Sequence, residues 1–124
     1  MIRISEAEAV VMEVLWGQHP LSADEVMTRL PGGNEWAEAT VKTLLNRLLN
    51  KGAISASKDG RRYLYSPLVQ RDAWLLEESS SLLDRLFDGR VAPLVAHFNQ
   101  HQRLSRDDVA ELRRLLEELD DEQH

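Results

Sequence analysis

Apolar residues recur every three or four positions through most of the chain, which predicts a largely helical protein. The first helical stretch follows Ser5, and a second, shorter one follows Ser22. Each serine is followed three residues later by a glutamate, Glu8 or Glu25, a spacing typical of a helix N-terminus at which the two residues cap each other's backbone. Two amphipathic helices are therefore predicted before the turn-forming run at residues 31–34.

A third helix is predicted from near Ala37 to Asn50 or Lys51, and Gly52 is placed to end it. Its apolar positions share one face because they recur at helical spacing. These positions are Val41, Leu44, Leu45, Leu48 and Leu49. The polar residues of the same helix occupy its other faces.

Two short strands are predicted next, over residues 53–57 and 62–65. Lys58, Asp59 and Gly60 lie between them, and Asp-Gly is a strong signal for a tight hairpin. Three helices followed by a two-stranded hairpin describe a winged helix-turn-helix. The expected fold class is therefore mainly α with a small β-wing, followed by a helical dimerisation region.

Pro67 marks the predicted domain boundary, because the residue before a proline is biased away from helical conformation. Residues 1–67 are predicted to form the winged helix-turn-helix domain and residues 68–124 an α-helical dimerisation domain. Helical patterns run from about Leu68 to Phe87 and from Val91 to His101, with a last helix after residue 105.

The three C-terminal helices carry more apolar surface than they can bury among themselves. An apolar stripe is normally covered by another element, and a second copy of the chain is the nearest candidate. The expected dimer contacts are Trp74, Leu82, Leu86, Leu94, Val95, Phe98, Leu112, Leu115 and Leu116.

Charge is distributed unevenly between the two halves. The net charge is -6, yet residues 1–70 carry eight basic and eight acidic side chains, whereas residues 71–124 carry seven and thirteen. Between Ala39 and Tyr65, six basic residues accompany one acidic residue, Asp59. A basic helix and a basic hairpin inside an acidic protein indicate contact with the phosphates of a nucleic acid.

The polar faces of the third helix and the hairpin are the expected DNA-reading elements. Thr40 and Thr43 offer methyl groups to thymine, and Asn46 and Arg47 suit adenine and guanine respectively, whereas Lys42 is expected at a phosphate. Hairpin cations reach the DNA backbone or the minor groove, and strand alternation predicts that only one of two neighbouring arginines points into DNA. The predicted DNA-binding residues are Thr40, Lys42, Thr43, Asn46, Arg47, Arg61 and Arg62. Taken singly, several of them are equally compatible with an ordinary solvated helix face.

Seven segments spread over nearly the whole chain form a specific combination. They are I-S-E-A-E (4–8), V-M-E-V-L-W (11–16), W-A-E-A-T-V-K-T-L-L-N-R-L (36–48), K-G-A-I (51–54), R-Y-L-Y-S-P-L-V (62–69), L-F-D-G (86–89) and L-V-A-H-F (94–98). With them the chain resembles the penicillinase-repressor family of bacterial winged-helix transcriptional regulators, the BlaI/MecI/CopY type.

The resemblance implies a homodimeric repressor that occupies a dyad operator and blocks transcription, often of β-lactam-resistance genes. It also implies that the C-terminal helices dimerise, and that proteolysis triggered by a membrane sensor-protease relieves repression. The bond that matches the family's cut site, commonly Asn-Phe, is His97-Phe98 in this chain. Ala39 stands where a lysine often precedes the reading-helix threonine, so a different base preference is expected.

Other classes of protein are less well supported. The absence of cysteine excludes a disulfide framework, a cysteine nucleophile and the cysteine cluster with which some relatives sense copper. His97 and His101 have a spacing that suits a metal, but no third ligand accompanies them, so no catalytic residue, cofactor or metal is predicted. A winged helix that binds a protein instead of DNA is the alternative function. No apolar run approaches the roughly 18 residues of a membrane span, and a cytoplasmic protein is expected.

Overall fold

The computed structural model describes residues 2–32 and 35–123, and within these ranges the elements follow the predicted order. They are α1 (Glu6–Gly17), α2 (Ala23–Thr28), α3 (Glu38–Lys51), β1 (Ile54–Asp59), β2 (Arg62–Pro67), α4 (Arg71–Leu86), α5 (Val91–Gln100) and α6 (Arg106–Gln123). The fold class is confirmed as mainly helical with a two-stranded antiparallel wing. The turn predicted at residues 31–34 includes Gly33 and Asn34, which lie outside the described residues.

Local capping fixes where the first three helices begin and end. Ser5 Oγ accepts from the Glu8 amide at 3.1 Å, and the Ser5 amide donates to Glu8 Oε1 at 2.8 Å. The same reciprocal pair joins Ser22 and Glu25 at the start of α2, at 3.0 and 3.2 Å. Gly52 ends α3 in the left-handed region at φ 78°, where a side chain would be strained. All three helix limits predicted from these residues are confirmed.

One apolar core lies between α1, α2, α3 and the start of β1. Its buried members are Val11, Met12, Leu15, Leu21, Val26, Val41, Leu44, Leu45, Leu48, Ala53 and Ile54. The wing is attached to this core through Leu21 and Tyr65, which exchange backbone hydrogen bonds of 3.1 and 2.7 Å. Tyr65 also packs against the core, so the wing has a fixed position beside the helices.

The hairpin differs from its predicted form. Asp59 pairs with Arg62, so the loop contains only Gly60 and Arg61, and both strands are longer than predicted. Gly60 has φ 65°, a conformation that a two-residue hairpin loop requires and that glycine adopts without strain. Lys58 and Asp59 therefore belong to the strand, and Arg61 lies at the tip of the wing.

Contacts divide the chain into two compact units, Met1–Leu76 and Glu77–His124. The first unit includes the residues after Pro67 because Leu68 and Val69 both donate backbone hydrogen bonds to the Ala53 carbonyl. These bonds also explain why α4 begins at Arg71, three residues later than predicted. The assignment of DNA binding to residues 1–67 and of dimerisation to residues 68–124 remains a prediction.

Trp74 is held within the first unit. Its ring lies 5.3 Å from that of Trp16 between centroids, and the Trp16 indole donates to the Val69 carbonyl at 2.8 Å. Arg71 Nε also contacts Glu13 Oε1 at 2.8 Å. The ring of Trp74 is therefore partly covered within this unit.

The second unit has a different burial pattern. In its described part, residues 77–122, no side chain is fully buried. The large apolar side chains exposed there are Leu82, Leu86, Val91, Phe98, Leu115, Leu116 and Leu119. Among the described helices of the whole chain, none combines the length and the apolar character that crossing a bilayer requires.

An ion pair joins the first turn of α1 to the end of α3. The Glu8 side chain is 1% exposed, and its Oε1 accepts from Lys51 Nζ at the end of α3. Lys51 also donates to the Arg3 carbonyl at 2.8 Å. Burial by itself raises the pKa of the Glu8 carboxyl, but hydrogen bonds from Lys51 and Ser5 outweigh this effect and hold the pKa below its ordinary value.

The Glu8 carboxylate should therefore contribute stability that depends on pH. With a lowered folded-state pKa, this contribution is present above the ordinary glutamate value of 4.5 and is lost as pH falls through the lower folded value. We expect Glu8→Gln to reduce the free energy of unfolding by about 1.5–3 kcal/mol near neutral pH, the range for hydrogen bonds to charged groups. Chemical denaturation at neutral pH and well below pH 4.5 measures the loss, which should shrink in acid.

Glu6→Gln provides the matched control, because Glu6 also lies in the first turn of α1 but is exposed. It should change stability little at either pH. An equal loss for both variants would show that the helix dipole, and not the pair with Lys51, sets the effect.

Candidate nucleic-acid interface

Helix α3 presents a fixed polar surface to solvent because its apolar face is fully engaged. Val41, Leu45 and Leu48 are completely buried, and Leu44 is 4% exposed. This burial fixes the rotation of the helix about its axis. The predicted reading residues on α3 are all exposed as a consequence, namely Thr40, Lys42, Thr43, Asn46 and Arg47.

One group of these residues forms what we call the reading surface, a shallow depression of about 280 Å³. It is lined by Ala39, Thr40, Thr43, Leu44 and Arg47. The Thr43 hydroxyl donates to the Ala39 carbonyl at 2.9 Å, so the side chain offers solvent a methyl group and acceptor lone pairs instead of a free proton. A small apolar floor beside an arginine suits contact with a thymine methyl and with a guanine or a phosphate.

A second depression, which we call the wing groove, lies between α2, the start of α3 and the hairpin, with a volume of about 350 Å³. Its charged lining comprises the cations Lys42, Arg61 and Arg62 and the carboxylates Asp24, Glu25 and Glu38. Tyr63 and Tyr65 also line it, and Tyr63 is 51% exposed. Six of the seven predicted DNA-binding residues thus fall into two sets of three, and Asn46 lines neither depression.

Two of the cations in the wing groove already have carboxylate partners. Lys42 Nζ lies 2.9 Å from Glu38 Oε1, one helical turn away, and this contact raises the pKa of Lys42. Arg62 lies 3.7 Å from Glu25 Oε1 and 3.4 Å from Asp59 Oδ2. Hydrogen bonds from Ser22, with a smaller contribution from Arg62, lower the pKa of Glu25, so this carboxylate is ionised at neutral pH.

The basic residues between positions 39 and 65 therefore differ in whether they already contact a carboxylate. Lys51 is engaged with Glu8, and both Lys42 and Arg62 are paired. In the described part of the chain, Arg47, Lys58 and Arg61 have no carboxylate within 4.0 Å. Of the two arginines at the wing, Arg61 is the one whose guanidinium is unpaired.

Sequence reasoning missed the acidic members of this surface. The Glu38–Lys42 pair could be predicted from the sequence, because residues four apart on a helix are neighbours. Glu38, however, lies just before the basic stretch at residues 39–65. The Glu25–Arg62 pair joins residues from α2 and the wing, so no local pattern indicates it. Tyr63 is also substantially exposed in the wing groove.

His97 of α5 and His101, the C-cap residue of that helix, lie close together. The rings of His97 and His101 are 4.7 Å apart between centroids, and His97 also lies near Phe87 and Phe98. Among the described residues, no group of three or more histidine, cysteine or acidic side chains is arranged to hold a metal ion.

The fold and the exposed surface of α3 define a winged helix-turn-helix protein with a candidate DNA-reading surface. The family model described as Penicillinase repressor matches residues 4–118, so the chain belongs to the penicillinase-repressor family. The family predicted from the sequence motifs is thereby confirmed.

Individual relatives agree with this assignment. The chain is 34% identical over 116 residues to a penicillinase repressor of Bacillus licheniformis, covering 94% of this chain and 91% of the relative. It is 31% identical over 113 residues to the methicillin resistance regulatory protein MecI of Staphylococcus aureus strain N315, covering 91% and 92%. A solution structure of the DNA-binding domain of the repressor BlaI superposes with a TM-score of 0.51 at 36% identity, over 56% of this chain and 84% of that domain.

Proposed function

We propose that this protein is a homodimeric transcriptional repressor that binds a palindromic DNA operator, of the type that regulates β-lactam-resistance or stress genes. The observation that carries the proposal is the exposed polar face of α3 beside a basic wing, on a domain similar to the DNA-binding domain of the repressor BlaI. The relatives named above are repressors, and the family match extends through both units.

The reading surface supports base contact in the major groove. Thr40, Thr43 and Arg47 lie on one exposed side of α3. The major groove of B-DNA is wide enough for one helix to reach the base edges. Arg61 at the wing tip and Lys42 beside it suit phosphate contacts, which position the protein without reading sequence. Asn46 is exposed on the same helix and suits adenine.

The second unit supports dimerisation. Its helices α5 and α6 border a mainly apolar groove of about 690 Å³ lined by Val91, Val95, Leu104, Val109, Leu112 and Leu116, together with Ala92, Ala96, Asn99 and Arg113. A unit whose described residues include no fully buried side chain gains stability when a second copy covers such a surface. Leu82, Leu86, Leu94, Phe98 and Leu115 extend the proposed interface, whereas Trp74 is already covered in part by Trp16.

A membrane sensor-protease system is the proposed partner that relieves repression. The matching bond, His97-Phe98, lies inside α5, and both of its residues are exposed. Proteases bind their substrates in extended form, so cleavage at this bond requires α5 to unwind locally. Cleavage there would separate the segment from Phe98 onward, which includes α6, from the rest of the chain.

DNA binding is tested directly by titrating the purified protein against the DNA upstream of its own gene at low and high salt, with footprinting. We expect a two-fold symmetric protected region and an affinity that falls steeply as salt rises. Protection of no fragment by an intact dimer would favour the alternative, a winged helix that binds protein.

Arg47 is the residue of the reading surface with the strongest expected contribution to binding. Arg47→Ala should weaken operator binding by a factor of about 5–150 per half-site if the guanidinium reads a guanine, the range for about 1–3 kcal/mol. Fluorescence anisotropy with operator DNA measures the change, and circular dichroism confirms the fold. Arg3→Ala, which removes an exposed cation of the same unit from outside the reading surface, is the control. Equal effects of the two variants would remove Arg47 from the proposed site.

The dimer interface is tested at Leu115, which is 49% exposed on the apolar side of α6. Leu115→Asp should convert the dimer to a monomer and weaken operator binding by about 10²–10⁴, because the two half-sites are then bound independently. Ala110→Asp introduces the same charge at another exposed position of α6 and should remain dimeric. Light scattering that finds Leu115→Asp still dimeric would contradict this interface.

A further inference from the structure

The wing groove holds carboxylates at a surface that the proposed function assigns to a polyanion. Glu38 contacts Lys42 at 2.9 Å, and Glu25 contacts Arg62 at 3.7 Å. Both acids are substantially exposed, with side-chain exposures of 57% and 38%. Neither contact is therefore a buried structural pair of the kind that Glu8 forms with Lys51.

The local structural roles of Glu25 and Glu38 do not depend on the cations that they contact. Glu25 already caps α2 through the Ser22 amide, and a glutamine can fill the same capping role. Glu38 lies in the first turn of α3, where any acid interacts favourably with the helix dipole, and the side chain of its partner Lys42 is 58% exposed. An exposed pair of this kind contributes little to stability.

The pairs do affect how a phosphate can bind. A cation that contacts a phosphate displaces condensed counterions, and this release drives DNA binding. A lysine or arginine that is already neutralised by a neighbouring carboxylate must first leave that partner, and the freed carboxylate then lies close to the DNA backbone.

We propose that Glu38 and Glu25 are internal competitors of DNA, which hold Lys42 and Arg62 in the absence of DNA and lower the affinity for any duplex. This inference rests on the proposed function. The competition involves phosphates, so it is independent of base sequence, and operator and non-operator affinities are lowered together. The pairs thus set the strength of binding, while the reading surface sets its sequence preference.

Glu38→Gln is the primary test, because glutamine keeps the size and helix propensity of glutamate and removes its charge. We expect an affinity about two- to fivefold higher per half-site at low salt, the range measured for exposed ion pairs, for operator and for a scrambled duplex alike. The dependence of log affinity on log salt should steepen by up to about 0.9 as one further phosphate is neutralised. Glu25→Gln should act in the same direction through Arg62 but more weakly, because Arg62 also lies 3.4 Å from Asp59 Oδ2.

A double-mutant cycle separates competition from simple repulsion between Glu38 and DNA. In a Lys42→Met background, Glu38→Gln should have little effect, because the cation that it releases is no longer present. Glu6→Gln is the matched control: it neutralises an exposed acid in the first turn of a helix, yet Glu6 has no cation within 4.0 Å among the described residues. This variant should leave affinity and salt dependence unchanged.

The outcomes are distinct. A gain from Glu38→Gln that persists fully in the Lys42→Met background would overturn the pairing mechanism in favour of long-range repulsion. A loss of affinity for operator alone would overturn it in favour of a carboxylate that reads a cytosine. Unchanged affinity with a normally binding wild-type protein would refute the inference while leaving the proposed function intact, whereas a wild-type protein that binds no DNA would refute the proposed function itself.

Discussion

Burial of the leucine face of α3 is the constraint on which the rest of the first unit depends. Side chains of this kind each contribute about 1.5–3 kcal/mol when they leave water, and Val41, Leu45 and Leu48 are completely buried. Because a helix has only one rotation that places all of them in the core, the polar residues between them are placed in solvent. The exposed surface that can read DNA is therefore a consequence of the packing beneath it.

Electrostatics then distinguishes among the cations that composition alone treats as equal. Lys51 pairs with the buried Glu8 and stabilises the fold. Lys42 and Arg62 each contact an exposed carboxylate, whereas Arg47 has no carboxylate partner among the described residues. A count of basic residues identifies a surface with affinity for phosphates, but it overstates how many of them are free. The effective charge of the surface depends on tertiary contacts.

The sequence predicted the elements of this protein well where local rules determine them. The serine and glutamate pairs at α1 and α2 and the left-handed Gly52 after α3 are local features, and each appears where it was predicted. The hairpin loop was misplaced because the strand register, with Asp59 opposite Arg62, depends on pairing across the sheet. Local patterns predicted the winged helix, and the family motifs indicated the class of regulator to which it belongs.

Contacts between distant parts of the chain were beyond prediction from the sequence. Glu8 was expected only to cap a helix, yet it also binds Lys51 from the far end of α3. The pair of Glu25 and Arg62 and the stacking of Trp74 near Trp16 likewise join residues that no local pattern connects. Such contacts depend on the completed fold, and they decide which charged or aromatic side chains remain available to a partner.

The C-terminal half combines exposed apolar side chains with an excess of acidic residues, and the two properties have related consequences. Its helices leave large apolar side chains exposed, and residues 71–124 carry thirteen acidic against seven basic side chains. Apolar surfaces can associate with a second copy irrespective of charge, whereas an excess of carboxylates disfavours contact with phosphates. Under the proposed function, this unit would associate with a second copy of the chain, and the exposed cations of the first unit would contact DNA. The contacts proposed to set the oligomeric state and those proposed to read DNA then belong to different units, so each could change in strength without remodelling the other.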